Sequence, residues 1–213
     1  MALDPDQERI EKEIKMDKIQ NLWNTYRKKI LIIISIISVA FIGFEFNQSS
    51  VRQGSEEASQ IYQEIIMKDI NDIEVIKEGV ARLKDNYSDT PYASRGSIYL
   101  SRSLVHKKMN DEAISELIWA ADNANEKSIQ SLALYTLSNI YLISKNIEEA
   151  MVVANKISTP GYIGLKNDLL GDIYMATNDK VKARISYDAA LNFYQNKSEL
   201  AKVIQTKLDA IGK

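Results

Sequence analysis

Toward the end of the chain, a large, a small and a large side chain are followed by a polar turn and then by three apolar positions at helical spacing. Leu170, Gly171 and Tyr174 form the first set; Ala183, Tyr187 and Ala190 form the second. The same order recurs upstream as Leu137, Ser138 and Tyr141, then Ala150, Ala154 and Ile157. It recurs once more as Leu100, Ser101 and Leu104, then Ala113, Leu117 and Ala120. Apolar positions three or four apart share one face of a helix, so each unit predicts two helices joined by a short turn. The turns run "KKMNDEA", "SKNIEEA" and "TNDKVKA". Asn110 or Asp111, Asn146, and Asn178 or Asp179 are expected to cap each second helix, because a short polar side chain can accept from the open N–H groups of the first turn. Weaker periodicity before the three units predicts a degenerate pair, Glu56–Lys68 and Asp72–Asn86, with Ala58, Tyr62, Val80 and Leu83 inward. After them "SELAKVIQTKLDAI" predicts an amphipathic helix with Leu200, Val203, Ile204, Leu208 and Ile211 on one stripe.

Paired helices in this order resemble the tetratricopeptide repeat, a unit of about 34 residues. The resemblance implies an all-α, TPR-like α-solenoid of antiparallel helix pairs, with units at about 94–127, 131–160 and 164–197. The helix over 198–211 would serve as the C-terminal cap that such arrays need. The repeat's usual Pro is absent from all three units, although Pro160–Gly161 breaks the chain near the end of the second. In this repeat the small residue of the first helix lets the second approach, which places Ser101, Ser138 and Gly171 against Ala113, Ala150 and Ala183. A glycine inside a helix costs roughly 1 kcal/mol against alanine, and such a contact would offset it. On this reading Gly171→Ala is nearly neutral, whereas Gly171→Leu forces the helices apart.

The first helices of such repeats line a concave surface. The expected lining is Arg95, Ile98, Arg102, Val105 and His106, then Leu132, Tyr135, Asn139, Leu142 and Ile143, then Leu165, Asp168, Asp172 and Met175. Of these, Ile98, Arg102, His106, Tyr135, Asn139, Leu142, Asp168, Asp172 and Met175 are the candidate protein-binding residues. A mixture of apolar groups with both charge signs suits a polypeptide partner. The alternative is that the protein's own terminal helix covers part of this surface. Some TPR domains clamp a terminal carboxylate with Lys and Asn; Asn139 matches one such place, but Tyr135 stands where a Lys is needed.

Near the N-terminus "ILIIISIISVAFIGF" carries no charge. Extended to Phe46, it spans about 25 Å as a helix against a hydrocarbon core of roughly 30 Å. Arg27, Lys28 and Lys29 can snorkel from its near end, and Trp23 and Tyr26 suit the headgroup layer. An uncleaved anchor is expected rather than a signal peptide, since the small pair Ser38 and Ala40 lies inside the apolar run and the preceding segment is long and mixed in charge. Met16, Ile19, Trp23 and Tyr26 share a face that continues into the anchor as an interfacial helix. The basic cluster predicts a cytoplasmic tail at 1–29, a transmembrane helix at 30–46, a polar linker at 47–55 and a TPR-like domain at 56–213 across the membrane.

Composition narrows the chemistry. The chain has 213 residues, 45% hydrophobic and 26% charged, with three Pro, eight Gly and no Cys. That balance supports a packed helical core. A net charge of −2 points away from a nucleic-acid partner. Without Cys, and with His106 as the one histidine, disulfides, thiolate metal sites and Cys/His dyads are excluded. The glycines at 161, 164 and 171 follow no strand, so no phosphate loop is predicted. The acidic pairs Glu56–Glu57, Asp111–Glu112 and Glu148–Glu149 fit helix starts or solvated faces. No catalytic, cofactor or metal site is expected, and the protein is read as non-enzymatic.

A short tail, one span and a repeat domain form a layout similar to one bacterial family, the YfgM-type ancillary subunits of the Sec translocon. The telling local pieces are "FIGFEFNQSSVRQGSEEASQIYQEI", "YASRGSIYLSRSLVHKKMNDEAISEL" and "GDIYMATNDKVKARISYDAAL". The resemblance covers nearly the whole chain. It implies a single-pass inner-membrane protein, N-terminus cytoplasmic and C-terminal domain periplasmic, with the SecYEG translocon, periplasmic chaperones and emerging or unfolded polypeptides as partners. The alternative is an anchored TPR subunit of another envelope assembly or protein-transport machine. An organelle import receptor would leave its repeats in the cytosol, opposite to the charge rule.

Overall fold

Sustained three-and-four spacing of apolar residues, with only three prolines to interrupt it, makes helices along nearly all of the chain. The computed structural model describes residues 5–194 and 198–212; within residues 5–51, side chains are described for 9, 12, 14–29, 31, 32, 37, 38 and 41. Its helices are α1 (Pro5–Ile66), α2 (Ile73–Tyr87), α3 (Pro91–His106), α4 (Asn110–Asn123), α5 (Lys127–Ile143), α6 (Ile147–Asn155), α7 (Ile163–Ala176), α8 (Lys180–Tyr194) and α9 (Glu199–Ile211). A 3-10 turn at Pro160–Tyr162 leads into α7. Among the described residues none lies in a strand.

The chain divides into two units, Met1–Gln53 and Gly54–Lys213. In the first, the described apolar side chains face outward: Leu31, Ile32, Ile37 and Phe41 are 56–63% exposed, and Met16, Ile19, Trp23 and Tyr26 are exposed as well. Among the described residues no helix is long and apolar enough to cross a membrane. The span expected at 30–46 falls largely on side chains outside the described residues. Residues 47–55, expected as a polar linker, are helical within α1. That stretch holds no proline, and Gly54 alone costs a helix roughly 1 kcal/mol.

In the second unit each helix packs on the next, from α2 on α3 through to α8 on α9. In addition α3 touches α5 and α5 touches α7, so the first helices of successive units adjoin as a layer. The inward residues expected before the repeats are buried at Ala58, Val80 and Leu83, with Tyr62 packed at the edge. The close-packing serines are fully buried too; Ser138 donates to the Ala150 carbonyl at 2.7 Å, which joins the two helices where the repeat pattern places them. On α9 the expected stripe is corrected. Ala201, Ile204 and Leu208 are buried, while Leu200 and Val203 are exposed. Alanine at 201 leaves room for α8, and the face that includes it wins over the one with the larger side chains.

The three inter-helix turns share one geometry. Lys108, Lys145 and Asn178 adopt φ of 63°, 64° and 61°. The next N–H in each turn reaches back five residues, to the carbonyls of Leu104, Tyr141 and Tyr174 at 2.9, 2.8 and 2.9 Å. This is a Schellman closure with a left-handed residue that is not glycine. The closure also explains why the expected caps are incomplete. Met109, not Asn110 or Asp111, precedes α4, and neither Met109 nor Asn146 makes a side-chain cap bond. Their ψ values of 61° and 73° lie outside the extended region that aims a cap side chain at the first turn. Asp179 does cap: its carboxylate accepts from the Lys182 N–H at 3.1 Å.

Gly171 faces a different neighbour from the one expected. A Cβ there would come within 3.0 Å of three carbons of the Tyr187 ring. Tyr187 is 2% exposed and donates its hydroxyl to Asp172 at 2.7 Å. The small residue therefore admits an aromatic ring from α8 rather than only the Ala183 methyl, and an alanine Cβ at 171 would press on that ring.

Candidate functional site

The candidate residues ride on the layer made by α3, α5 and α7, and the structure sorts them into two environments. On α3, Ile98 is 7% exposed and forms a floor, while Arg102 is exposed one turn on. With Tyr62, Arg95, Tyr99 and Leu132 they line a cavity of about 140 Å³. The aromatic wall is braced: the Tyr62 and Tyr92 rings lie 5.8 Å apart. Arg95 sits 5.8 Å over Tyr92 and 3.4 Å from the Glu126 carboxylate. Among the described residues Arg102 has neither a hydrogen-bond nor an ion-pair partner. His106 ends α3, exposed beside Lys107 and Lys108.

Tyr135 and Asn139, both half-buried, are tied within their own helix by a bond from the Asn139 amide to the Tyr135 carbonyl at 2.9 Å. Burial pushes the Tyr135 phenol above its usual range. Leu142 is partly buried against the cluster of Ala150, Ala154, Leu169 and Ile173 rather than standing open.

The α7 residues are bound from within the chain. Lys207 of α9 donates to Asp168 at 2.7 Å and to Asp172 at 2.8 Å, with its ammonium 5.4 Å over the Tyr187 ring. Burial raises the Asp168 carboxyl above its ordinary value, against the pull of Lys207. Burial works against the Lys207 charge, but the bonds to both carboxylates hold its pKa above the ordinary lysine value. Met175 packs against the cluster of Tyr187, Ala190, Ile204 and Leu208. The terminal helix thus occupies the α7 end of the expected surface and leaves the α3 end open.

Sequence reading missed Lys207, Tyr99 and the groove role of Tyr62. By its spacing Tyr62 reads only as inward, and a lysine one step from the buried stripe of an amphipathic helix carries no mark of its partner. The α3 end brings apolar, aromatic and cationic side chains together at one cavity. Among the described residues no group of three or more His, Asp or Glu could hold a metal ion.

A family model described as a tetratricopeptide repeat-like domain matches residues 20–213. A protein of Aggregatibacter actinomycetemcomitans named "Ancillary SecYEG translocon subunit" is 24% identical over 181 residues, covering 85% of this chain and 89% of its own length. A protein of Haemophilus influenzae with the same name is 22% identical over the same shares.

Proposed function

The chain belongs to the tetratricopeptide repeat-like domain family, and we propose that it is a non-enzymatic, single-span scaffold attached to the Sec translocon. The two relatives bear out the resemblance to the YfgM-type subunits, and their shared name supplies the channel as partner. In this reading residues 30–46 anchor the protein in the inner membrane with 1–29 in the cytoplasm. The repeat unit then works on the periplasmic side, linking the channel to chaperones and to emerging or unfolded polypeptides. The observation that carries the reading is the open α3 end of the first-helix layer, where apolar floor, tyrosines and arginines converge. Aromatic and Arg side chains tend to dominate interface energies.

The two attachments separate physically. A lipid-embedded helix packs directly on membrane subunits, whereas the repeat face meets soluble chains. Crosslinking and affinity purification in mild detergent, read by mass spectrometry, tests both. The full protein should recover channel subunits together with chaperone or client crosslinks. Arg102→Ala with Tyr135→Ala should lose the crosslinks and keep the channel. Removal of 1–53 should do the reverse. Recovery of a different envelope assembly and no channel subunit would support the alternative machine and defeat the reading.

A further inference from the structure

The charged groups of the first-helix layer are not equally available. At the α7 end Asp168 and Asp172 are already bonded by Lys207, and Asp172 also accepts from Tyr187 at 2.7 Å. At the α3 end the cations are open. Arg102 has no partner among the described residues, and Arg95 is 41% exposed with its carboxylate neighbour at 3.4 Å. His106, Lys107 and Lys108 follow on the same helix end. Acidic groups at this end include Glu126, engaged with Arg95, and Asp69, whose carboxylate accepts from the Asn71 backbone and side chain at 2.8 Å and whose charge acts on Lys107 and His106. Between the arginines lies an apolar floor, Ile98 and Leu132, walled by Tyr62 and Tyr99.

The geometry points to a specific ligand class for this cavity: an acidic polypeptide segment in which a carboxylate sits beside an apolar side chain. The apolar group fills the space over Ile98 and Leu132, and the carboxylate reaches the Arg102 guanidinium. A planar fork of donors matches a carboxylate through two parallel bonds, which a lysine ammonium at that place would not provide. The Tyr62 and Tyr99 rings line the same cavity and offer apolar surface beside that contact. A cationic segment meets like charge at this cavity, where Arg95 and Arg102 face it and the Glu126 carboxylate is engaged by Arg95. The carboxylates Asp168 and Asp172, whose two charges Lys207 offsets by one, lie at the α7 end instead. The preference is therefore set by which charges stand at this end of the layer, not by the net charge of −2. The inference rests on the reading that the first-helix layer binds polypeptide, and it adds the sign and chemistry of the segment.

Three peptides separate the two claims: alternating Leu/Asp, Leu/Lys and Leu/Ser, each carrying an uncharged dye, titrated by fluorescence anisotropy against full-length protein in zwitterionic nanodiscs. The Leu/Asp peptide should bind about tenfold tighter than Leu/Ser and tighter still than Leu/Lys, as one charge-assisted contact suggests. Arg102→Ala should remove that advantage, and Arg102→Lys should recover part of it. Circular dichroism of both variants should match wild type, since Arg102 is exposed. Equal binding of the three peptides, or a Leu/Asp affinity untouched by Arg102→Ala, would overturn the inference and leave the scaffold reading standing. No binding by any peptide would remove the polypeptide-binding face itself. Binding of anionic-lipid vesicles that Arg102→Ala abolishes, together with a Leu/Asp affinity that the same variant leaves unchanged, would assign the arginine to a membrane surface and overturn the inference as well.

Discussion

Adding a methyl group at position 171 would press a Cβ to within 3.0 Å of three carbons of the Tyr187 ring, and the ring is confined. It is 2% exposed, and its hydroxyl is held by Asp172 at 2.7 Å. Overpacking a core costs about 1–3 kcal/mol, while Gly→Ala in a helix returns roughly 1 kcal/mol of propensity. Gly171→Ala should therefore lose about 1 kcal/mol net in chemical denaturation, and Gly171→Leu clearly more. A Tyr187→Leu background should relieve part of the alanine penalty, since a double-mutant cycle reads contact between neighbours. An alanine variant that unfolds like wild type, with no coupling to position 187, would mean that the ring yields freely. The large–small–large pattern made the need for a small residue at 171 legible. The identity of the group that fills the space was not, because Tyr187 and Ala183 both fall on the inward face of α8 and the pattern cannot rank them.

At the scale of elements, the turns repeat more faithfully than their side chains do. Lys108, Lys145 and Asn178 all take the left-handed conformation that glycine would hold at lower cost, and the back-reaching N–H closes the turn each time. The turn length sets this closure, so the polar residues after it read as caps in sequence but mostly do not cap. Lys166 does comparable work across elements. Its ammonium donates to the carbonyls of Asn155 and Ile157 at 3.2 and 3.1 Å and closes the end of the short α6. The terminal helix shows its attachment through pH. Lys207 has a folded-state pKa above its ordinary 10.5, so the stability it contributes is complete below that value and is lost as pH rises through the raised one. Denaturant midpoints measured on both sides of pH 10.5 should fall less steeply for Lys207→Met than for wild type. At neutral pH the variant should be the weaker protein, because it leaves Asp168 and Asp172 without their cation. Identical slopes would mean that Lys207 is solvated rather than bound.

For the whole molecule, the proposed orientation rests on the charge pattern around the apolar run of the first unit. Three cations at 27–29 precede the apolar run, and the next, Arg52, follows it. A reporter fused after Lys213 should be active only outside the cytoplasm, and mass spectrometry of the mature protein should still find 1–29. A cytosolic C-terminus, or a new N-terminus after Ala40, would reverse the placement. Across the second unit, burial follows the repeat: Ala113, Ala150 and Ala183 are all fully buried at the matching place on successive second helices.

Periodicity, small residues and turn chemistry in the sequence were enough to determine the paired helices of the repeats and the face each of those turns inward, because these depend on spacing along one helix or across one short turn. The buried face of α9 and the continuity of α1 through 47–55 were not legible in this way. Burial and charge satisfaction on the first-helix layer depend on residues far apart in the chain. Asp168 and Asp172 read as open groove residues until α9 brings Lys207 to 2.7 and 2.8 Å from them. Arg102, on an equivalent face, stays unpaired because no acidic side chain among the described residues is folded against it. Which end of the surface remains available to a partner was decided by that long-range packing alone.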